Sequence, residues 1–286
     1  MSTELREKWV ELTGLGIRSR VLEAGAGPLV VLLHGHPDNA EGWAPLMRRL
    51  AARFRCIAPD LPGYGKSPEP PPSFAYSRAG GTSFVDAVLE AAGVREKFIL
   101  VVHDTGGIIG VPWAARNMAR LNGLMITNTV AYEGFPWFPV VRMWGNPSSL
   151  ARLRSHLGFF ALRLRGGGLF KKVFWGESPQ LDEADVDRVT RSFALNRDAT
   201  RSTLRQFTEV VKPDFFDGYD EMMRTITARI PTRVLWGDKD PYLPVKYAKR
   251  FASAHVTVLP EAGHWVALTA SAELAEEIAL LGQSRS

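Results

Sequence analysis

The chain has 286 residues, 45% of them hydrophobic and 23% charged, with a formal net charge of +5 and an isoelectric point near 9.4. These values are ordinary for a globular domain with a large core, and the basic residues are spread along the chain, so no nucleic-acid partner is expected. Cys56 is the only cysteine, which excludes an intrachain disulfide and a thiolate metal site.

The N-terminal stretch MSTELREKWVEL is charged from Glu4 onward and lacks the apolar centre of a signal peptide. No uninterrupted apolar run approaches the roughly 18 residues of a membrane-spanning helix. We therefore expect a cytoplasmic protein with no membrane partner. The sequence leaves the oligomeric state open, a homodimer included.

Short apolar runs alternate with helical patterns over the first 131 residues. Continuous runs of this length are typical of strands that are buried on both faces of a parallel sheet. In chain order the predicted strands are RSRVLEAG, PLVVLLHG, FRCIAPDL, KFILVVHD and NGLMITNT. Helical stretches separate the last three, and this alternation predicts a doubly wound α/β fold.

The pattern changes after residue 131. Residues 132–224 are helical, aromatic and basic, with a glycine-rich interruption in RGGGLF. Strand patterns return in IPTRVLWGDKDP and HVTVLP, and SAELAEEIALL predicts a closing amphipathic helix. We therefore predict a discontinuous core, residues 1–131 and 225–286, which carries a helical cap, residues 132–224.

Titratable side chains and glycine turns gather where the predicted strands end, which is where sheets of this kind bind ligands. The strand KFILVVH is followed by Asp104, Thr105 and two glycines, and then by a helix. The other strand ends carry HGHPD, DLPGYG, GDKDP and AGHW. This concentration of chemistry at one edge of the sheet indicates an enzyme.

A nucleophile at a strand–turn–helix elbow, then an acid, then a histidine is the chain order of the α/β-hydrolase family. Asp104, Asp240 and His264 match that order, and essentially the whole chain resembles this family. The resemblance implies a mostly parallel eight-stranded sheet flanked by helices, with the helical cap as an insert. One departure is Val102, because the family usually has glycine two residues before the nucleophile.

An aspartate at the elbow resembles the haloalkane dehalogenases and the epoxide hydrolases; fluoroacetate-type dehalogenases have arginine where this chain has Thr105. A carboxylate is ionised at neutral pH and attacks a saturated carbon without a base. The product is an alkyl ester on Asp104, which His264 would hydrolyse by activating water. Asp240 would orient the imidazole.

The resemblance places the oxyanion hole at the backbone N–H groups of His36 and Thr105. Pro37 would hold the His36 turn through a cis peptide bond, as in relatives. The donors would stabilise the charge that develops on the ester oxygen during hydrolysis.

Two alternatives for these residues are structural. Asp104 could merely cap the helix that follows it, and Asp238 competes with Asp240 for the acid's role. The family's spacing from glycine to acid favours Asp240. Asn128 stands where some dehalogenases have a glutamate acid, and an amide cannot serve as that acid.

The leaving group is not decided by these residues. Dehalogenases stabilise halide with a tryptophan after the nucleophile and an asparagine after HG, where this chain has Thr105 and His36. Trp43 and Trp175 could supply indole donors, although both are also candidates for packing.

Epoxide hydrolases instead use phenols to protonate the ring oxygen, and Tyr132 and Tyr219 are the tyrosines of the predicted cap. Phe207 stands where a cap tyrosine is expected. The comparison favours epoxide opening over halide release. A third hypothesis is a repurposed pocket that acts as a ligand receptor, or as a lyase or cyclase.

The predicted cap is rich in phenylalanine and tryptophan, which indicates a small to medium apolar substrate. Its basic side chains suggest either an anionic substrate or membrane surface, or simply a solvated face, and we favour the solvated face. The glycines after Arg165 could form a hinge. No metal or organic cofactor is expected.

Overall fold

The fold is built on one eight-stranded sheet. The computed structural model describes residues 4–251 and 254–283. The sheet order is β1-β2-β4-β3-β5-β6-β7-β8, in which β1 and β2 are antiparallel to their neighbours and the remaining pairs are parallel. The strands are β1 (Arg6–Leu12), β2 (Ile17–Ala24), β3 (Leu29–Leu33), β4 (Arg55–Pro59), β5 (Phe98–Asp104), β6 (Leu121–Thr129), β7 (Thr232–Gly237) and β8 (His255–Leu259).

Helices cover both faces of this sheet. They are α1 (Ala44–Leu50), α2 (Arg78–Ala91), α3 (Thr105–Arg116), α4 (Pro139–Gly145), α5 (Ser149–Glu177), α6 (Glu183–Val189), α7 (Arg197–Val210), α8 (Tyr219–Thr227), α9 (Val266–Thr269) and α10 (Ser271–Gln283). Among these helices, none is both long and apolar enough to span a membrane.

The central strands are apolar at every position because both of their faces are buried. Along β3, Val31 and Leu33 pack in the core with α2, α3 and α8, whereas Val30 and Leu32 pack on the opposite side with α1 and α10. The alternation of side chains along a strand sends successive residues to opposite faces, so a continuous apolar run builds two cores at once. The mostly parallel eight-stranded sheet expected from the sequence is confirmed.

Helices α4 to α7 follow β6, before β7 returns to the sheet. The predicted end of the insert at residue 224 falls inside α8, whose Tyr219 is buried and donates a hydrogen bond to the carbonyl oxygen of Ile108 in α3 (2.8 Å). Helix α8 therefore packs on the core. We keep the term insert for the chain from residue 132 to the end of α7.

Helix α5 is broken in its middle. Arg165, Gly166 and Gly167 have left-handed backbone conformations, with φ of 53°, 66° and 84°, in the segment where the sequence suggested a hinge. The chain turns here between two helical halves.

Candidate active site

Asp104 lies at the corner between β5 and α3, in a backbone conformation (φ 47°, ψ −121°) that few residues other than glycine adopt. Such a sharp turn lifts the side chain above the end of the sheet. The corner closes because Gly106 has no side chain: a Cβ there would lie 2.3 Å from the carbonyl oxygen of Leu33. Asp104 makes no side-chain capping bond to α3, so the helix-cap alternative is wrong.

The valine that departs from the family's elbow is accommodated across the turn. Val102 is fully buried, and a Cβ on Gly110 of α3 would come within 2.4 Å of its Cγ1. Glycine at 110 thus makes the space that glycine two residues before the nucleophile would otherwise provide.

His264 and Asp240 form a buried hydrogen-bonded pair. The imidazole Nδ1 lies 2.7 Å from Asp240 Oδ2, and Asp240 Oδ1 accepts from the backbone N–H groups of Tyr242 and Leu243 at 2.8 and 2.9 Å. Asp238, the competing acid, is solvent-exposed. The structure therefore pairs the histidine with Asp240.

Asn128, at the end of β6, completes this arrangement. Its side-chain amide donates to Asp240 Oδ2 at 2.6 Å, and its Oδ1 accepts from the N–H of Gly237 at 3.1 Å. Asn128 cannot itself act as an acid, but its amide holds the Asp240 carboxylate in position. Sequence reasoning assigned Asn128 no such role, although its place at a strand end indicated proximity to the site.

The other imidazole nitrogen faces the elbow. His264 Nε2 lies 3.9 Å from Asp104 Oδ2, which is too far for a direct hydrogen bond. This separation suits a base that acts through a water molecule between the two groups rather than on the carboxylate itself.

One expected oxyanion-hole donor meets the other carboxylate oxygen: the N–H of His36 donates to Asp104 Oδ1 at 2.8 Å. The N–H of Thr105, the second expected donor, favours the charged form of the same carboxyl group and so lowers its pKa. The His36–Pro37 peptide is cis, as the resemblance implied.

Burial controls the ionisation of the site. It raises the pKa of Asp104 above its usual value, against the opposing effects of His264 and of the two N–H donors. Burial also lowers the pKa of His264, but Asp240 and then Asp104 outweigh it, so the net direction is upward. Burial and the His264 charge lower the pKa of His36 to about 3, so its imidazole is neutral.

A cavity of about 470 Å³ opens above Asp104. Apart from the polar atoms of the elbow, the oxyanion turn and the histidine, its wall is mostly aromatic and aliphatic. Residues of the insert form much of this wall: Phe135, Trp137, Phe138, Val140, Val141, Trp144, Leu162, Phe170, Val173, Phe174, Glu177, Phe193 and Phe207. A mostly apolar lining of this kind is typical of pockets that bind small molecules.

The two tyrosines expected to protonate a leaving group lie outside the cavity lining. Tyr132 is buried against Tyr247, with ring centroids 5.0 Å apart, and Tyr219 donates its hydroxyl proton to Ile108 in the core. Both residues pack in the interior because their rings complete the core beside α3 and α8. Neither can serve as the acid in this arrangement.

The two tryptophans proposed as halide donors are also outside the lining. Trp43 is 2% exposed and packs edge-on against His103, and Trp175 lies on the outer side of α5. Trp43 is a packing residue, and Trp175 faces solvent.

Other side chains in the lining could contact a leaving group, and the sequence did not single them out. Trp144 of α4 lines the cavity, its ring 5.9 Å from that of His36, and its indole N–H donates no hydrogen bond within the described residues. The indoles of Trp137 and Trp265, by contrast, donate to Val210 and Ser178. The stretch FPVVRMWG gave only an aromatic pattern, from which this indole could not be singled out.

Two hydroxyl groups are also relevant to a leaving group. Thr105 Oγ1 is buried beside Asp104 and has no hydrogen-bond partner among the described residues. Tyr242 supplies a phenol to the lining, but it donates to Glu177 Oε2 at 2.6 Å. Burial, together with Glu177, raises the pKa of Tyr242. Its position two residues after Asp240 was the available signal in the sequence.

Comparison with known proteins agrees with this geometry. Residues 30–277 match the model of the alpha/beta hydrolase family. The chain belongs to that family. Within residues 4–251 and 254–283, no group of three or more histidine, cysteine, aspartate or glutamate side chains could hold a metal ion.

Individual members of the alpha/beta hydrolase family are related at low identity. The chain is 29% identical to a cis-3-alkyl-4-alkyloxetan-2-one decarboxylase of Shewanella oneidensis over 92% of its own length and 84% of that protein. It is 32% identical to a haloalkane dehalogenase of Sphingobium indicum, over 46% of its own length and 45% of the dehalogenase. Several other relatives, like this dehalogenase, are matched over less than half of their own length.

Among solved structures, the epoxide hydrolase CorEH superposes with a TM-score of 0.76 over 99% of this chain and 100% of its own, at 18% identity. This likeness concerns the fold. The chain is an enzyme of the alpha/beta hydrolase family, and its site places a carboxylate where many family members have a serine.

Proposed function

We propose that the protein is a hydrolase that forms an alkyl ester on Asp104 and then cleaves it with water activated by His264. The observation that carries the proposal is the division of the two carboxylate oxygens. Oδ1 accepts the His36 N–H, whereas Oδ2 faces His264 across 3.9 Å. One oxygen is held in the oxyanion hole, and the other is left to react.

In the first step, Oδ2 attacks a saturated carbon of the substrate. A carbon–oxygen bond forms, the bond to the leaving group breaks, and its electron pair departs with the leaving group. The apolar wall of the cavity removes water from the carboxylate and so increases its reactivity. The insert would act as a cap that supplies this wall.

In the second step, His264 Nε2 removes a proton from water, and the resulting hydroxide attacks the Asp104 carbonyl carbon. The negative charge would collect on Oδ1, which accepts the His36 N–H, and the Thr105 N–H would be the second donor. Esterification removes the Asp104 charge, which is one cause of the raised His264 pKa. The pKa of the histidine therefore falls in the intermediate, when a free base is required.

The experiment that tests this chemistry is intact-protein mass spectrometry. We expect Asp104→Ala to abolish turnover. His264→Gln should accumulate an adduct whose added mass is that of the alkyl group less one hydrogen for an alkyl halide, or that of the whole substrate for a ring-opened epoxide or lactone. Asp238→Ala is the matched control, because this exposed aspartate lies two residues before Asp240, and it should retain full activity. Turnover by Asp104→Ala, or no adduct in His264→Gln despite substrate consumption by the wild type, would end the proposal.

The leaving group that the cavity suits best departs as a stable anion. An epoxide oxygen needs an acid, and the phenol of Tyr242 in the lining already donates its proton to the Glu177 carboxylate. A halide needs only donors, and Thr105 Oγ1 and the Trp144 indole are available to supply them. We therefore favour release of halide from an apolar alkyl halide over the epoxide opening that the sequence favoured.

A second candidate substrate is a strained lactone. Opening an oxetan-2-one at its saturated carbon releases a carboxylate, which again needs no acid, and a relative aligned over 92% of this chain is named for that substrate. A panel of a bromoalkane, a terminal epoxide and a dialkyl oxetan-2-one separates the classes by their products. These are bromide from the first substrate and a diol from the second. The oxetan-2-one gives a 3-hydroxy acid if water cleaves the ester, or carbon dioxide and an alkene if the freed carboxylate fragments and its electron pair expels Asp104.

The Thr105 hydroxyl gives this panel a matched pair of variants. Thr105→Val removes the donor and keeps the backbone N–H, whereas Thr105→Ser keeps both. Loss of one hydrogen bond to an anion slows ester formation by about tenfold to a hundredfold, so Thr105→Val should slow bromide release by that factor, while Thr105→Ser stays near the wild type. Efficient diol formation without bromide release would contradict the assignment.

A further inference from the structure

Helix α5 exposes a row of large apolar side chains to solvent. In its first half they are spaced three or four residues apart, which aligns them on one side of the helix. Their exposed fractions lie between 48% and 59%, and we call them the outer face of α5: Leu150, Leu153, Leu157, Phe160, Leu164, Leu169 and Val173. The buried residues of the first half, Ala151, Ser155 and Phe159, lie on the opposite side.

This exposure is not explained by packing within the chain. Soluble proteins expose single apolar residues routinely, but five on one side of the first half of α5, from Leu150 to Leu164, indicate an interaction surface. The part of the chain that the structure describes leaves more than two-fifths of each of these side chains in solvent.

Unpaired basic side chains accompany the outer face of α5. Arg154, Arg165 and Lys172 are exposed and form no ion pair within the described residues, whereas Lys171 pairs with Asp187. A helix with leucine and phenylalanine on one side and free cationic side chains beside them matches the composition of helices that lie in a lipid interface.

The same surface reaches the cavity. Val173 belongs to the outer face of α5 and also lines the cavity, and Val140 of α4, 45% exposed, lines it as well. Part of the outer face of α5 therefore belongs to the cavity wall.

We propose that α5 binds a lipid bilayer that carries anionic headgroups, and that apolar substrate enters the cavity from this bilayer. The leucines and phenylalanine would insert among the acyl chains, and the three basic side chains would meet the headgroups. An anionic bilayer matches the positive charge beside the outer face of α5, whereas a second copy of the chain would bring six unpaired cations together. The charge therefore favours lipid as the partner. The binding is independent of the chemistry at Asp104, whereas substrate delivery rests on the proposed function.

Vesicle flotation with the full-length protein tests the binding directly. We expect binding to phosphatidylcholine vesicles that contain phosphatidylglycerol, weaker binding to phosphatidylcholine alone, and loss of the difference at high salt. Leu153→Ser/Leu157→Ser/Phe160→Ser should lower the partition coefficient by at least about tenfold. These positions are exposed, so the fold should be retained, as circular dichroism would verify.

Matched variants separate a specific surface from general stickiness. Trp9→Ser/Val258→Ser changes two apolar residues on strands of the sheet, far from α5 in the sequence, which are 38% and 40% exposed. This variant should bind vesicles like the wild type. Arg154→Gln/Arg165→Gln/Lys172→Gln should reduce binding to anionic vesicles, whereas Arg48→Gln/Lys97→Gln/Arg229→Gln, with the same loss of charge on the core, should not. Equal effects of the two charge variants would overturn the assignment of α5.

Two further outcomes would overturn the proposal. One is absence of vesicle binding by the wild type. The other is a dimer in sedimentation velocity that the triple serine variant converts to monomer, without lipid binding, because the occupant would then be a second copy. A catalytically silent protein that still binds vesicles through α5 would leave this inference standing and remove only the proposed hydrolysis.

Discussion

The carboxylate of Asp104 lies in surroundings that oppose its charge and yet orient it. Burial disfavours the ionised form, while two backbone N–H groups and His264 stabilise it. A serine here would need a base before it could attack, but a carboxylate needs only to stay ionised and partly desolvated. The arrangement suits attack on carbon that carries a good leaving group.

The pH dependence of ester formation follows from this balance. Only the ionised form of Asp104 attacks, and its pKa is raised above the ordinary value of 3.8, so the rate should fall as the pH is lowered through a value above 3.8. Single-turnover adduct formation against pH measures this acid limb.

The His264→Gln variant supplies a check on the sign. The histidine charge lowers the Asp104 pKa, so its removal should shift the acid limb to still higher pH. An acid limb at or below 3.8, or a shift to lower pH in the variant, would show that burial does not dominate at this carboxyl group.

Among the elements, helix α7 of the insert supports the oxyanion turn of the core. Tyr64 donates to Gln206 Oε1 at 2.6 Å, lies 3.2 Å from Thr203 Oγ1, and contacts His36 Nδ1 at 3.3 Å. The neutral His36 imidazole is thereby linked through Tyr64 to α7. The insert thus contributes to the geometry of the hole as well as to the cavity wall.

The break in α5 is an element with a specific requirement for glycine. Gly167 has φ of 84°, and a Cβ there would meet Thr190 Cγ2 at 2.5 Å, so Gly167→Ala should lower the free energy of unfolding by about 1–3 kcal/mol. Gly158 lies within the first half of α5 with nothing near its Cβ position, and Gly158→Ala should be neutral or stabilising by up to about 1 kcal/mol. Denaturant titration of both variants makes the comparison; equal effects would mean that the break carries no strain.

Across the molecule as a whole, one buried ion pair joins the insert to the core. Arg188 of α6 pairs with Asp38, which follows the His36–Pro37 turn, and the two side chains are 13% and 6% exposed. The pair connects the insert to the loop whose His36 N–H donates to Asp104.

Breaking this pair should destabilise the protein measurably. Arg188→Met leaves the Asp38 charge buried without its partner, so the free energy of unfolding should fall by about 3 kcal/mol. Arg191→Met is the control: its 67%-exposed side chain pairs with Asp187 at 3.8 Å, and the loss should stay within about 0.5 kcal/mol. Asp38→Asn/Arg188→Met should recover much of the difference, and failure to do so would assign the loss to packing.

Local patterns along the chain were enough to predict the fold and which side chains meet around Asp104. Apolar runs predicted the sheet, and residues at the ends of its parallel strands meet at one edge. Asp104, Asp240, His264 and His36 could therefore be grouped from the amino-acid sequence alone. The order of elbow, acid and histidine along the chain indicated the family.

Which side chains of the insert face the cavity depended on packing between distant parts of the chain. Helix α8 turned Tyr219 into the core, Tyr132 packed against Tyr247, and Trp144 took a place in the lining that no spacing in the sequence indicated. The same packing left the apolar row of α5 exposed. Helical periodicity shows that a helix has two faces, but which face is buried is set by its neighbours in space, and those neighbours are remote in the sequence.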